Sequence, residues 1–376
     1  MSIPLHPLAG GSFANWLELL RANKGIDDQY FFKGFLISLA SISGIPNRFL
    51  EKAIFDRQIE KLTVSSPIFI IGHWRSGTTY LHNLITQDDD LGYVSSLQTW
   101  TPELFLSSES IVRYILKRFL PEIRPMDNVK LSAELPQEEE YALGNVGHYC
   151  FYHGWYFPKN MKQYFKQYVL FNNLSPQVER EWQAAYLRIL KKATYKMNGK
   201  RLILKNPANT ARIKTLLKMF PEAKFIHIYR NPYTVFASTR NLYRQLLPDL
   251  RLQQISDREI EDNIILFYRE IMSKFFEDKQ LIPQANLIEI KYEDFVNNSI
   301  DILEQIYRQL NLSSFNWKKA KFTRYVKACS EYQSNQYFLS QEDKEKVAKN
   351  WSFAIDKWQY NVPNYRSMLT SLDTSS

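Results

Sequence analysis

Apolar and polar positions alternate along the chain in blocks that predict strands followed by helices. Short apolar runs predict buried strands at 68–71, 201–205, 224–229 and 286–291. Apolar residues spaced three and four apart then predict helices at 79–86, 210–220, 233–246 and 300–310. Such alternation is typical of a parallel sheet with right-handed crossovers, in which ligands bind at the C-terminal ends of the strands.

Helical regions are predicted around this sheet. Residues 13–62 have a helical pattern, and residues 90–200 interrupt the alternation as a mostly helical insertion over the sheet edge. We therefore predict one domain over 1–376, with an α/β core at 65–312 and a helical C-terminal extension at 313–376.

The loop after the first predicted strand has the spacing of a phosphate-binding loop. Two glycines, Gly72 and Gly77, bound it, with an apolar strand before them and a helical pattern after them. Thr78 occupies the position at which a P-loop nucleoside triphosphatase carries its lysine, and Arg75 is the strong cation of the loop. We predict a P-loop-like fold that binds a phosphate-like group but does not use ATP for phosphoryl transfer. The alternative is a turn that needs glycine only for its backbone geometry.

Composition and charge limit the possible size of the core, the partners and the location of the protein only broadly. With 376 residues and 45% hydrophobic content, the chain can bury a large core. A net charge of +9 favours an anionic cofactor, substrate or membrane surface, although solubility alone also explains it. The two cysteines, Cys150 and Cys329, are too few for a disulfide framework. The N-terminus has no secretory signal pattern, so we expect a cytoplasmic protein.

One uncharged stretch, at 35–46, bears on membrane contact. Its twelve residues are too few for a spanning helix, which needs about 20. The pattern favours a buried core helix over a helix that lies against an apolar surface.

A second candidate anion-binding segment follows the strand at 224–229. Arg230 lies at the strand tip, Pro232 suits the first turn of the next helix, and Ser238 lies about two turns into it. This cation and hydroxyl group are suited to hold a second anion beside the glycine loop.

Together the two segments resemble the sulfotransferases that use 3′-phosphoadenosine 5′-phosphosulfate (PAPS). In that family the sequence [RK]-S-G-T-[TS] after a strand holds the 5′-phosphosulfate. The matching residues here are Arg75, Ser76, Gly77, Thr78 and Thr79. An arginine at a strand end and a serine eight positions later hold the 3′-phosphate in the family, and Arg230 and Ser238 have this spacing.

Further segments are similar to the bacterial and tyrosylprotein-like branch of these enzymes. They are LKNP at 204–207, FPEAKF at 220–225 and YEDF at 292–295, and the resemblance covers residues 65–312. The resemblance adds Tyr292 as a candidate cofactor-binding residue. It implies transfer of a sulfuryl group from PAPS to an acceptor hydroxyl by in-line displacement.

Sulfuryl transfer should need mainly positioning and charge stabilisation. PAPS carries a singly charged sulfuryl group where ATP has its β- and γ-phosphates, so less charge needs neutralising and no metal is obligatory. Arg75 would neutralise the bridging oxygen and the leaving phosphate. Lys205 resembles a family lysine that contacts the sulfuryl group; an exposed, salt-bridged lysine is the alternative.

The candidate general base lies in a run of three glutamates. In related bacterial sequences the segment resembles L-P-x-E, which favours Glu138, with Glu139 and Glu140 behind it. An acidic first helical turn is the structural alternative. His148 and His153 are the fallback bases.

Two other features of the sequence are ambiguous. His148, Cys150 and His153 supply only three ligands where structural zinc is four-coordinate, so we predict no metal site. His73 and Trp74, inside the glycine loop, either shape the sulfate pocket or pack beneath it.

The acceptor is the least defined part of the prediction. The insertion is rich in aromatic residues that either line a pocket or fill the core, namely Tyr149, Phe151, Tyr152, Trp155, Tyr156 and Phe157. With the stretch at 35–46, they favour a lipid or other small hydrophobic alcohol over a carbohydrate, and peripheral contact with a membrane. We expect no nucleic-acid partner, and the oligomeric state stays open.

Two other functions compete with sulfuryl transfer. A P-loop kinase would use Mg-ATP, and Thr78 argues against it. A nucleotide-binding, membrane-peripheral protein without turnover would have little need for Arg75, Lys205 and the carboxylates together.

Overall fold

The structure is a computed structural model that describes residues 6–119, 132–313, 315–329 and 337–363. Its strands are β1 (Ile68–Ile71), β2 (Leu91–Gly92), β3 (Arg201–Lys205), β4 (Lys224–Tyr229) and β5 (Leu287–Lys291). Its α-helices are α1 (Phe13–Ala22), α2 (Phe31–Ser43), α3 (Ile45–Lys61), α4 (Thr78–Ile85), α5 (Ser96–Trp100), α6 (Glu109–Phe119), α7 (Glu139–Val146), α8 (His153–Tyr156), α9 (Met161–Tyr168), α10 (Pro176–Lys196), α11 (Ile213–Met219), α12 (Pro232–Leu250), α13 (Asp257–Asp278), α14 (Tyr292–Asn297), α15 (Ser299–Gln309), α16 (Phe315–Ala328) and α17 (Gln341–Trp358).

The strands form one parallel sheet in the order β2-β3-β1-β4-β5. The central strand β1 is fully buried, because helices cover both faces of the sheet, and this explains its unbroken apolar sequence. Since the strands are parallel, their C-terminal ends meet at one edge. The predicted α/β fold with a parallel sheet flanked by helices is confirmed.

Most predicted elements are present, with small shifts at their ends. The helix predicted at 210–220 is divided, because a 3-10 turn at Pro207–Ala211 precedes α11. Among the strands and α-helices, β2, α13 and α14 were not predicted. β2 has only two residues and leaves almost no pattern. The helix α13 begins with a capping box between Ser256 and Glu259, which is the local sequence signal for its start.

The helices outside the sheet carry residues to its C-terminal edge. Helices α5 to α10 lie between β2 and β3 in sequence, and α7 contacts the segment after β3 through hydrogen bonds from Asn206 and Asn209. The region predicted as a C-terminal helical extension contains α16 and α17, and α17 packs against α12 and α13. Residues 364–376 of that prediction lie outside the described residues.

The stretch at 35–46 is not the buried core helix that the sequence favoured. It contains the end of α2 and the start of α3, and only Ile37 among its large apolar side chains is fully buried. Phe35, Leu39 and Ile42 are 54%, 56% and 46% exposed. The prediction is wrong because α2 is apolar on two faces and only one of them packs against the protein. Within the described ranges, no helix combines the length and the apolar character needed to cross a membrane.

Candidate active site

The glycine loop between β1 and α4 has a backbone that depends on its two glycines. Gly72 has φ 143°, and a Cβ there would lie 2.3 Å from the carbonyl oxygen of Ile228. Gly77 has φ 97°, and a Cβ there would lie 2.3 Å from the ring of Tyr292. Arg75 is also left-handed, with φ 71°. Such conformations recur in the backbone concavities that bind anions.

Hydrogen bonds hold this loop in place. The Gly72 N–H donates to Thr210 Oγ1 over 2.8 Å, and the Thr210 hydroxyl donates back to the Gly72 carbonyl over 3.1 Å. The Ser76 hydroxyl donates to the His73 carbonyl over 2.7 Å, so this side chain is used inside the loop. The contact of Ser76 with the phosphosulfate stays a prediction.

His73 and Trp74 have different positions relative to the glycine loop. His73 is buried against the ring of Tyr268, and burial lowers the pKa of its imidazole to about 4. It packs beneath the loop as a neutral ring. Trp74 lines the cleft above the loop, and its indole N–H donates to the Tyr152 hydroxyl over 3.1 Å.

The two predicted anion-binding segments lie side by side. Arg75 Nε donates to Ser238 Oγ over 2.9 Å, and Arg230 Nη1 donates to the Arg75 carbonyl over 3.2 Å. The Arg230 guanidinium lies 4.2 Å from the centre of the Tyr292 ring, which itself contacts Gly77. The segments meet because β1 and β4 are neighbouring parallel strands, with Ile71 paired to His227.

Of the three glutamates, Glu138 is the one in the cleft. Lys205, at the tip of β3, forms a salt bridge with Glu138 Oε1, and the Tyr152 hydroxyl donates to Glu138 Oε2. Lys205 is 1% exposed and Glu138 is 8% exposed. Lys205 is therefore not the exposed surface lysine of the alternative prediction, although it does form a salt bridge.

Glu139 is directed into the core. Its Oε1 accepts hydrogen bonds from the Tyr186 hydroxyl over 2.7 Å and from Asn209 over 2.8 Å. Complete burial raises the pKa of the Glu139 carboxyl group and favours its neutral form.

Glu140 forms a buried ion pair. The Arg212 guanidinium donates to both of its oxygens, over 2.7 and 2.9 Å, and Asn206 adds a bond of 2.8 Å. Burial opposes ionisation of Glu140, but the charge and hydrogen bonds of Arg212 outweigh it and lower the pKa of Glu140. Glu139 and Glu140 therefore brace α7 against the segment after β3, and this bracing positions Glu138.

The fallback bases His148 and His153 are not among the residues that line the cleft. His148 pairs with Glu18 over 3.0 Å, and the ring of His153 is bonded to the Gly144 carbonyl over 2.9 Å. Burial lowers the pKa of His153 to about 4. Cys150 donates to the Glu140 carbonyl over 3.1 Å. Among the described residues, no three His, Cys, Asp or Glu side chains are grouped so as to hold a metal ion.

The cleft joins the charged groups to an apolar wall. It is lined by Trp74, Arg75, Thr78, Thr79, Glu138, Tyr141, Tyr152, Trp155, Pro207, Leu242 and Leu246. The aromatic residues of the insertion are thus divided between two tasks. Tyr152 and Trp155 stack at 4.0 Å and line the cleft, whereas Phe151, Tyr156 and Phe157 are buried in the core.

Several residues around the site were not identified from the sequence. Thr210 and Arg212 follow β3 in a segment with no motif of its own, and their role depends on contacts with distant parts of the chain. Leu242 and Leu246 line the cleft, whereas the sequence predicted them only as apolar positions of a helix. Their spacing of four residues places them on one face of α12, and this spacing was the available signal.

The sequence has relatives of known class. The profile of the "Sulfotransferase family" matches residues 67–317. An omega-hydroxy-beta-dihydromenaquinone-9 sulfotransferase, Stf3, of Mycobacterium bovis is 30% identical over 354 residues, which covers 94% of this chain and 90% of that protein. The protein of the same name from Mycobacterium tuberculosis gives the same values.

Two solved structures share the fold. The sulfotransferase STF9 from Mycobacterium avium superposes with a TM-score of 0.65 at 16% identity, covering 94% of this chain and 98% of that one. The sulfotransferase STF1 from Mycobacterium tuberculosis H37Rv gives a TM-score of 0.58 at 17% identity, covering 91% and 94%. On the family profile and the 30% identical relatives, this chain belongs to the sulfotransferase family.

Proposed function

We propose that this sulfotransferase moves a sulfuryl group from PAPS to the hydroxyl group of a lipid. One observation carries the proposal: the two predicted anion-binding segments adjoin the buried Glu138–Lys205 pair in a cleft with apolar walls. The two segments and the Glu138–Lys205 pair suit donor binding and transfer, and the apolar walls suit the acceptor.

The residues present fit the donor. Gly77 leaves a cradle that a Cβ would fill, and the loop begins a helix whose N-terminus favours an anion. Arg75, Gly77, Thr78 and Thr79 would hold the 5′-phosphosulfate, with Ser76 shaping the loop. Arg230 and Ser238 would hold the 3′-phosphate, with Tyr292 packed beneath Arg230. When bound, PAPS supplies the sulfuryl group and a phosphate leaving group.

Glu138 would be the proton acceptor. It lines the cleft and forms a salt bridge with Lys205. It would take the proton of the acceptor hydroxyl while the acceptor oxygen bonds to sulfur and the bond from sulfur to the 5′-phosphate oxygen breaks. Lys205 and Arg75 would stabilise the charge on the oxygens of the transferring group. The products are a sulfate ester and 3′-phosphoadenosine 5′-phosphate.

The apolar wall favours a lipid over a carbohydrate. Trp74, Trp155, Leu242 and Leu246 offer rings and aliphatic groups, and aliphatic groups suit an isoprenoid or acyl chain better than a sugar. The relative that is 30% identical is named for a hydroxylated menaquinone derivative, which is also a lipid alcohol.

The two competing functions make different predictions. A kinase would need a lysine at the position of Thr78 to contact the β- and γ-phosphates. A binding protein without turnover would not require the Glu138–Lys205 pair beside the loop. Neither function is favoured by a specific feature of the site.

The test is transfer of ³⁵S from labelled PAPS to geranylgeraniol, a long-chain alcohol, in mild detergent without magnesium. We expect a labelled ester in the organic phase and an equal amount of 3′-phosphoadenosine 5′-phosphate. N-Acetylglucosamine serves as the carbohydrate comparison. Label on the sugar but not on the alcohol would contradict the lipid acceptor, and label on neither would contradict the proposed reaction.

A further inference from the structure

Helices α2 and α3 carry a row of exposed apolar side chains. Phe31 is 72% exposed and Phe49 is 71% exposed. We define the α2–α3 surface as Phe31, Phe32, Phe35, Leu39, Ile42, Ile45, Phe49, Leu50 and Ile54. On α2, spacings of three and four residues place Phe31, Phe35, Leu39 and Ile42 on one face. A contiguous apolar surface of this kind marks a site of interaction with another molecule or with a membrane.

The exposed charges around this surface are mostly basic. Residues 29–50 contain no Asp or Glu. Their two cations are directed at backbone carbonyls, with Lys33 donating to Asp249 over 2.7 Å and Arg48 to Ser41 over 2.8 Å. Five exposed cations, Lys52, Arg57 and Lys61 of α3 and Lys117 and Arg118 of α6, outnumber the two exposed acids, Asp28 and Glu60. An apolar face with a basic border is complementary to an anionic lipid surface.

A second amphipathic helix extends the apolar character. Glu51 of α3 accepts the backbone N–H of Leu106 over 2.7 Å and thereby holds the segment that leads into α6. In α6, Ile111 is 60% exposed and Tyr114 is 73% exposed. Exposed apolar residues thus continue from α3 onto a neighbouring element.

The α2–α3 surface is connected to the wall of the cleft. Leu242 and Leu246 line the cleft from α12. Lys33 of α2 is hydrogen-bonded to the Asp249 carbonyl, at the C-terminal end of the same helix. The N-terminal turn of α2, with Phe31 and Phe32, therefore adjoins the end of a cleft-lining helix.

We propose that the α2–α3 surface docks on an anionic lipid bilayer, with its apolar side chains inserted into the headgroup region. The partner is the membrane rather than a second copy of the chain, because a symmetric pairing would bring the mostly basic exposed charges around the surface together. Binding to vesicles needs neither donor nor turnover, so this inference can fail or succeed independently of the proposed reaction.

The test is flotation of the full-length protein with vesicles of phosphatidylcholine and phosphatidylglycerol, in comparison with phosphatidylcholine alone. We expect stronger binding to the anionic vesicles and weaker binding at high salt. The double variant Phe35→Asp/Phe49→Asp should bind about 100-fold more weakly, since two phenylalanine side chains no longer enter the lipid.

Two control variants make the result specific. Trp317→Asp removes an aromatic residue that is 88% exposed on α16 and is not part of the α2–α3 surface, and this variant should bind within about twofold of the wild type. Phe35→Leu/Phe49→Leu keeps the surface apolar and should retain binding within about tenfold. An unchanged unfolding midpoint shows that each variant is folded.

Three results would overturn the proposal. The first is a wild-type protein that does not float with anionic vesicles, and the second is a Phe35→Asp/Phe49→Asp variant that floats as well as the wild type. The third is a wild-type dimer in sedimentation equilibrium that the same double variant converts to a monomer, without vesicle binding by either. That result would assign the surface to self-association.

Discussion

Replacing Glu138 by glutamine removes its charge and its capacity to accept a proton, but keeps its size and its capacity to accept hydrogen bonds. The amide keeps the size of the carboxylate, and its oxygen can still accept a hydrogen bond from Lys205 or Tyr152. It loses the negative charge and the ability to accept the proton of the acceptor hydroxyl. Glu138→Gln therefore tests the proposed base directly.

The expected loss of turnover is large. A general base contributes about 10²- to 10⁴-fold to the rate, so kcat should fall by this factor, which corresponds to about 3–5 kcal/mol in the barrier. Lys205 is 1% exposed and loses its counter-ion, so we also expect stability to fall by about 1–3 kcal/mol. Affinity for 3′-phosphoadenosine 5′-phosphate should change by less than about threefold, since Glu138 lies outside both anion-binding segments.

The assay is single-turnover transfer of ³⁵S to the lipid alcohol, with product-nucleotide affinity measured by calorimetry. Glu139→Gln is the matched control, because it makes the same chemical change one residue away. Burial raises the pKa of Glu139 and favours its neutral form, which glutamine resembles. Its kcat should stay within about threefold of the wild type.

Two results would refute this reasoning. One is a Glu138→Gln variant that keeps more than about a third of the wild-type kcat, a loss far below that of a missing base. The other is an equal loss in Glu139→Gln, which would mean that the carboxylate run acts only through the packing of α7. A variant that loses turnover together with nucleotide binding would indicate a disturbed loop instead of a missing base.

Three other substitutions test the anion-binding segments and the support beneath the site. Gly77→Ala should abolish nucleotide binding in calorimetry and destabilise the protein by about 1–3 kcal/mol more than Gly199→Ala, since both glycines have positive φ but only the first contacts a tyrosine ring. Equal effects in urea unfolding would contradict this. Arg230→Met should weaken binding of 3′-phosphoadenosine 5′-phosphate at least about tenfold and leave adenosine 5′-phosphosulfate, which lacks the 3′-phosphate, unchanged. Equal losses for both ligands would argue against a 3′-phosphate contact. Arg212→Met should destabilise the protein by about 3–5 kcal/mol at pH 7. Because the folded pKa of Glu140 lies below its ordinary value of 4.5, the difference from wild type should shrink as the pH falls below that value; a difference independent of pH would contradict the ion pair.

The sheet and the loop could be predicted because their signals are local. β1 is a short apolar run that ends at a glycine, and β3, β4 and β5 have similar patterns. The proximity of Arg230 to the glycine loop could also be predicted, since adjacent parallel strands end at one edge of the sheet. β2 could not be predicted, because two residues do not establish a period.

The identity of the glutamate in the cleft could not be derived from the residues alone. Three consecutive glutamates have the same local pattern, and family resemblance was needed to favour Glu138. Their different environments come from partners far along the chain, namely Lys205, Tyr186 and Arg212. Hydrogen bonds of this kind depend on tertiary packing, which leaves no trace in local periodicity.

The exposure of α2 was predicted wrongly for a related reason. Its sequence is apolar around most of the helix, and this usually indicates burial on all sides. Ile37 packs inward, whereas Phe35 and Leu39 do not. The same pattern arises when one face of a helix packs on the protein and the other contacts lipid, so composition alone does not separate the two cases.

The most direct test of the account is calorimetric titration with 3′-phosphoadenosine 5′-phosphate, in the absence of magnesium, set against Mg-ATP. The adjoining arrangement of Arg75, Arg230 and Ser238 predicts tight binding of the bisphosphate and little response to ATP. Preference for Mg-ATP, or no binding of either nucleotide, would contradict the proposed PAPS site.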